Sequence, residues 1–124
     1  MDRQGIFDYA EKEYGSFPEY LWENDATSAV LRHGDNKKWY ALIMNISKDR
    51  LGLADMHKAD VLNVKCEPEA AGILHMTRGI FPAYHMNKRN WISILLDDSI
   101  DEALVLDLLD KSYELTLNKK KGKG

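Results

Sequence analysis

The sequence holds a single cysteine, Cys66, among 124 residues, so no internal disulfide can staple the fold. No apolar run approaches the roughly 18 residues that a membrane span needs. The start, Met1-Asp2-Arg3-Gln4-Gly5, lacks the basic-then-apolar pattern of an export signal. Together these absences predict a cytoplasmic protein with no membrane contact. Gly5, Gly15, Gly34, Gly52, Gly72 and Gly79 stand alone, so there is no glycine-rich phosphate loop. His33, His57, His75 and His85 are scattered, with no cysteine pair or histidine spacing suited to a metal, and neither a metal nor a cofactor is expected. Asp97-Asp98 and Asp101-Glu102 fall at a helix start, where capping and the helix dipole favour acids without any acid–base chemistry. Cys66, at a strand end, reads as inert packing rather than as a nucleophile. No catalytic residue is assigned, and the expectation is a protein that is not an enzyme.

What is present is an ordinary globular composition, 44% hydrophobic and 30% charged, of a length that suits one domain. Charge is unevenly placed. The whole chain carries −3, but Lys119, Lys120, Lys121 and Lys123 supply +4 of that balance, which leaves −7 on residues 1–118. An acidic body argues against broad duplex binding, which depends on cations displacing phosphate counterions; a local basic patch stays open. The expected organisation is one domain over 1–118 and a basic flexible tail over 119–124.

Hydrophobic spacing orders the elements. Residues 2–14 read as an amphipathic helix with Ile6, Phe7, Ala10 and Tyr14 on one face, Asp2 as its cap and Gly15 as its stop. The aromatic segment Ser16–Trp22 is expected to fold over the sheet edge. Residues 28–33 and 38–47 read as strands joined by the turn Gly34-Asp35-Asn36-Lys37. In the second of these, alternation places Trp39, Ala41, Ile43 and Asn45 on one face and Tyr40, Leu42, Met44 and Ile46 on the other. Both faces are therefore largely apolar, as in a central strand covered on two sides. A loop near 48–60 precedes a third strand at 61–66. Pro68 opens a second helix, with Ala70, Ile73, Leu74 and Thr77 on one face. Strands near 81–86 and 91–96 follow, joined through Asn87–Asn90. Ser99 with Glu102 forms an S-x-x-E cap for a last helix, whose buried stripe is Leu104, Val105, Leu108, Leu109 and Ser112. The order α-β-β-β-α-β-β-α predicts an α+β fold, a mainly antiparallel sheet with helices packed on it.

Several segments, in order, resemble the MmcQ/YjbR family of small bacterial proteins. They are Pro18–Trp22; Arg32-His33 with Asn36–Leu42; Val61–Cys66 followed by Pro68; Pro82–Ile92; and Ser112-Tyr113. The resemblance spans roughly residues 15–115. It implies a fold similar to CyaY and to type III secretion chaperones. It also implies DNA binding by a double wing, in which two hairpins grip the duplex; here the wings would be the Gly34–Lys38 and Asn87–Asn90 turns.

Read by residue type, Lys37, Lys38, His85, Lys88 and Arg89 are the candidates for phosphate contact, with Asn36, Asn87 and Asn90 as neutral donors and Trp39 and Trp91 bracing the arms. No recognition helix or zinc-finger spacing is present, so sequence-specific readout is not expected. The rival expectation is a protein-interaction or chaperone-like module with an acidic surface. Its groove would form around Phe17–Trp22, with Met44, Met56, Met76 and Met86 as adaptable contacts. A monomer or a weak homodimer formed through a sheet edge fits either expectation.

Overall fold

Nine consecutive residues, Trp39–Ser47, make the strand around which the sheet assembles. The structure, a computed structural model, describes residues 1–117; the lysines of 119–123, read above as a tail, lie outside the described residues. Helix α1 is Arg3–Tyr14, followed by strands β1 (Ala29–Arg32), β2 (Trp39–Ser47) and β3 (Lys58–Lys65). Then come α2 (Pro68–Leu74), β4 (Ile80–Pro82), β5 (Trp91–Leu95) and α3 (Glu102–Leu115). The five strands form one antiparallel sheet in the order β1-β2-β3-β5-β4. This is the α+β architecture and element order expected from the sequence.

The helix caps follow their residues. Asp2 accepts a hydrogen bond from the Gly5 N–H at 2.9 Å, and Gly15 closes α1 in the left-handed region at φ 70°. Ile6, Phe7 and Ala10 are buried with Val105, Leu108 and Leu109 of α3 against Leu31, Ile43, Leu62, Val64, Ile92 and Ile94 of the sheet. Both long helices thus cover one face. The aromatic segment does meet the sheet edge: Glu19 pairs with Val30 of β1 through two backbone hydrogen bonds, at 3.0 and 2.9 Å. Arg32 adds a bidentate contact to the Glu19 carboxylate at 2.7 and 3.0 Å. At the other edge β4 is only three residues long and ends in Pro82, so little unpaired backbone is offered there.

Strict alternation fails along β2. Leu31 opposes Ala41, but Arg32 opposes Trp39, so Tyr40 is an extra residue that bulges the strand. Tyr40 therefore joins Ala41 and Ile43 under the helices, and Trp39 swings to the opposite face with Leu42 and Met44. The bulge leaves the Tyr40 carbonyl and the Lys65 N–H without each other. The Ser112 hydroxyl of α3 fits between them, donating to Tyr40 O at 2.6 Å and accepting from Lys65 N at 2.8 Å.

Other expectations shift for local reasons. Strand β3 begins at Lys58 rather than 61, because Asp60 is held in the sheet by Arg3 (2.8 and 2.9 Å) and by the Asn45 amide (3.0 Å). Helix α3 starts with Asp101, not Ser99, at its N-cap position, and without a side-chain cap bond; the Ser99 hydroxyl has no partner, and its backbone N–H bonds to Asp97. It lies against Gly79, where a Cβ would come within 2.8 Å of Ser99 Oγ and where φ is 90°, so only glycine suits that position. In α2 the buried residue is Ala71, while Ile73 is 72% exposed, because the helix is short and packs chiefly near β4 and β5. The strand expected over 81–86 stops at Pro82.

These hydroxyls make opposite predictions. Replacing Ser112 by Ala strands a buried carbonyl and a buried N–H, a loss of ~1–3 kcal/mol, and thermal melting should fall by several degrees. Ser99→Ala removes an unpartnered hydroxyl and should leave the melt nearly unchanged. Equal melting of the two variants would contradict the role given to Ser112.

Candidate functional site

Antiparallel pairing brings the two expected contact turns to one end of the sheet. Ala41 of β2 opposes Val64 of β3, and Lys65 of β3 opposes Trp91 of β5, so the start of β2, the end of β3 and the start of β5 lie side by side. The β1–β2 turn and the Asn87–Asn90 turn leave from there, two strand spacings or roughly 10 Å apart. The first turn is closed by His33 N to Lys38 O at 3.0 Å and Lys37 N to His33 O at 3.2 Å, with Lys37 in the left-handed region at φ 64°. The second is closed by Asn90 N and Trp91 N, both donating to Asn87 O.

The polar residues of these turns divide by role. Asn36 is spent inside the fold: its Nδ2 donates to Thr116 O at 2.9 Å and its Oδ1 accepts from Lys38 N at 2.8 Å, so it ties the turn to the end of α3. Asn87 Oδ1 similarly accepts from Arg89 N. The cations Lys37, Lys38, Lys88 and Arg89 are exposed, and among the described residues none stands in an ion pair. Lys65 lies between them; Asp35 and Glu67 belong to the same turn and strand end, and the Glu19 carboxylate lies within the field of Lys37, on a body whose described residues total −7.

His85 parts from that group. Beyond Pro82 the chain leaves the sheet edge and crosses the face that the helices do not cover. Tyr84 N donates to Ser93 Oγ at 2.9 Å, Ser93 Oγ donates to Asn63 Oδ1 at 2.5 Å, and Asn63 Nδ2 donates to Tyr84 O at 3.0 Å. Arg50 reaches the Tyr84 hydroxyl at 2.8 Å. Tyr84 and Met86 pack on Val30, Leu42 and Met44. The segment is thus a cover for the second face rather than the arm of a projecting wing, and His85, with φ 62°, lines a cleft on that face.

This cleft, about 530 Å³ in volume, shares Trp22, Met44 and Met86 with the groove expected around Phe17–Trp22, while Trp39 and Asp25 were not expected in it. Trp22 and Trp39 wall it, their rings edge to face at 5.9 Å and 83°; Leu42, Met44 and Met86 also line it, with Asp25. Trp39 reaches this face only through the Tyr40 bulge. Asp25 accepts from Ser28 Oγ (2.6 Å), Thr27 Oγ1 (2.8 Å) and Thr27 N (3.1 Å), which hold its carboxyl down to about 2.

A second cluster, not expected from the sequence, sits between the helices and the bulge. Tyr14 and Tyr113 stack at 4.0 Å, with Tyr40 edge-on and the buried His33 ring 4.4 Å from Tyr113. Tyr9 and Tyr14 both donate to Asp110. Burial first, then Asp110, raises the Tyr9 phenol to about 12 and pushes Tyr14 up as well. Burial raises Tyr40, whose hydroxyl has no partner, to about 12. These phenols stay protonated at neutral pH. Cys66 is likewise pushed up by burial, in keeping with packing. Among the described residues no group of three His, Cys, Asp or Glu side chains could hold a metal ion, and no helix is long and apolar enough to cross a membrane.

A five-stranded antiparallel sheet with two long helices on one face, a loop cover on the other and a basic end defines a small α+β domain. The YjbR family pattern matches residues 13–115, and the chain belongs to that family. It is 42% identical over 116 residues to Bacillus subtilis YyaQ, described as uncharacterized, spanning 94% of this chain and 98% of that one. Escherichia coli O157:H7 YbdF, also described as uncharacterized, is 32% identical across 95% of this chain and 89% of its own. A Pseudomonas syringae protein solved by crystallography superposes with a TM-score of 0.92 at 42% identity, covering 94% of this chain and all of the other. A Deinococcus radiodurans protein, 21% identical over 98% of this chain and 83% of its own, shares the fold with a TM-score of 0.74.

His33 yields a pH prediction. Thr116 Oγ1 donates to Ser112 O at 2.9 Å, so in the contact at 2.8 Å His33 Nε2–H is the donor and Thr116 Oγ1 the acceptor. Burial lowers its pKa below the ordinary value of 6.5. The unfolded chain then takes up the proton first. Stability from this group is full above about pH 6.5 and declines as pH falls toward the depressed folded value. Melting followed from pH 7.5 to 5 should drop more steeply in wild type than in His33→Gln, by the standard pH-linkage argument; parallel curves would contradict it.

Proposed function

We propose that this YjbR-family domain is a non-enzymatic binding protein that contacts DNA through its backbone, at the sheet end where the two turns emerge. The observation that carries the reading is the concentration of Lys37, Lys38, Lys65, Lys88 and Arg89 there, with Asp35, Glu67 and Glu19 as the nearby acids, on an otherwise acidic body. Phosphate contacts of this kind position a duplex without reading its sequence. The acidic remainder repels the duplex and limits contact to this end, so binding should be weak and strongly salt-dependent. His85, on the other face, takes no part in this contact.

A protein partner is the second reading, with a chaperone-like role. It is favoured by the exposure of Phe17 (60%), Tyr20 (51%) and Leu21 (45%) along the segment that pairs with β1.

Duplex affinity measured against salt tests the DNA reading. Four or five phosphate contacts predict a slope of log K on log salt of roughly −4, reduced by about 2 in Lys88→Ala/Arg89→Ala and similarly in Lys37→Ala/Lys38→Ala. A chain ending at residue 118 should keep most of the slope. Binding that vanishes on that truncation yet ignores both double variants would sink the proposal, as would no binding at low salt.

A further inference from the structure

We propose that the cleft walled by Trp22 and Trp39 is a binding site for a small organic cation carrying an alkylated ammonium group. Nothing in the DNA reading uses this cleft, and the proposal stands independently of it.

Three features of the cleft converge on that chemistry. Its two indoles meet at 83°, so they form a corner in which a compact cation touches the face of one ring while lying beside the other. Indole faces are the strongest aromatic attractors of cations. Leu42, Met44 and Met86 line the same space with apolar and polarisable groups that suit N-methyl groups rather than a hydrated ammonium. Asp25 is the only carboxylate among the lining residues, which include no lysine or arginine; His85 is the other titratable group there.

The carboxylate is also a prepared one. Three hydrogen bonds from Ser28 and Thr27 fix its orientation and keep it ionised at neutral pH. They also occupy most of its lone pairs. A primary ammonium, which must place three N–H donors, would find little of Asp25 free and would have to turn to the Asn24 amide or the His85 ring. A quaternary or highly methylated ammonium has few or no such donors and needs only a negative field with apolar walls. The −7 of the surrounding body supplies long-range attraction of the same sign. The volume, about 530 Å³, lies in the range of small-molecule sites rather than of extended protein interfaces.

Choline chloride is the probe for a first test, with 3,3-dimethyl-1-butanol as its uncharged isostere and sodium chloride holding ionic strength constant. The readout is the indole N–H signals of Trp22, Trp39 and Trp91 in nitrogen–proton NMR spectra. Choline should shift Trp22 and Trp39 saturably and leave Trp91 in place. The neutral isostere and ethanolamine should each bind roughly tenfold more weakly. Asp25→Asn, which keeps an acceptor for Thr27, and Trp22→Leu, at a position already 37% exposed, should each weaken choline several-fold. The wild-type comparison of cation with isostere needs no variant, so a poorly folded mutant would not obscure the result. Equal binding of choline and the isostere would reduce the cleft to an apolar groove and overturn the proposal. So would the absence of any saturable indole shift up to about 100 mM choline.

Discussion

The sheet has two apolar faces and only one pair of long helices to cover them. Everything else follows from how the second face is closed. Val30, Leu42 and Met44 are buried there without a helix above them, and leaving such side chains exposed would cost about 1.5–3 kcal/mol each. The chain after Pro82 does the covering. It is fixed by a closed polar circuit, Tyr84 N to Ser93 to Asn63 and back to Tyr84 O, and Asn63 and Ser93 are themselves fully buried. A segment anchored this way cannot project as a free wing without orphaning those groups and uncovering the apolar patch. The one constraint therefore shapes both the cover and the cleft beside it.

The surface chemistry then separates into three places. Cations gather at the sheet end, where the turns flanking β3 emerge. The cleft with its paired indoles and fixed carboxylate lies on the loop-covered face. The tyrosine and histidine cluster lies on the helix side, stacked over the bulge. His85 illustrates the separation: it is four residues from Arg89 in sequence, yet the crossing segment carries it into the cleft.

Much of the fold was legible because residue type and spacing act locally. Asp2 and Gly15 delimit α1 by capping chemistry, and the stripe Val105, Leu108, Leu109, Ser112 follows helical periodicity. What escaped depended on contacts distant in sequence. The Tyr40 bulge exchanges the faces of Trp39 and Tyr40, and its stabiliser is Ser112, 72 residues away. The extension of β3 to Lys58 rests on Arg3, and the cap motif at Ser99 matches in letters while Asp101 holds the position. For the candidate sites, the exposed cations could be named from side-chain type. The internal use of Asn36, the diversion of His85 and the meeting of Trp22 with Trp39 could not, because each depends on which strand end faces which loop.

Amide hydrogen exchange at Tyr84 is the most direct measurement of the central claim, that residues 83–86 are a packed cover held through Ser93 and Asn63. The account predicts protection of the Tyr84 N–H comparable to that of amides within β3 and β5, far slower than at Asp35 or Lys88 in the exposed turns. Exchange at Tyr84 as fast as in those turns would mean that the segment is free of the sheet, and the account of the second face would be contradicted.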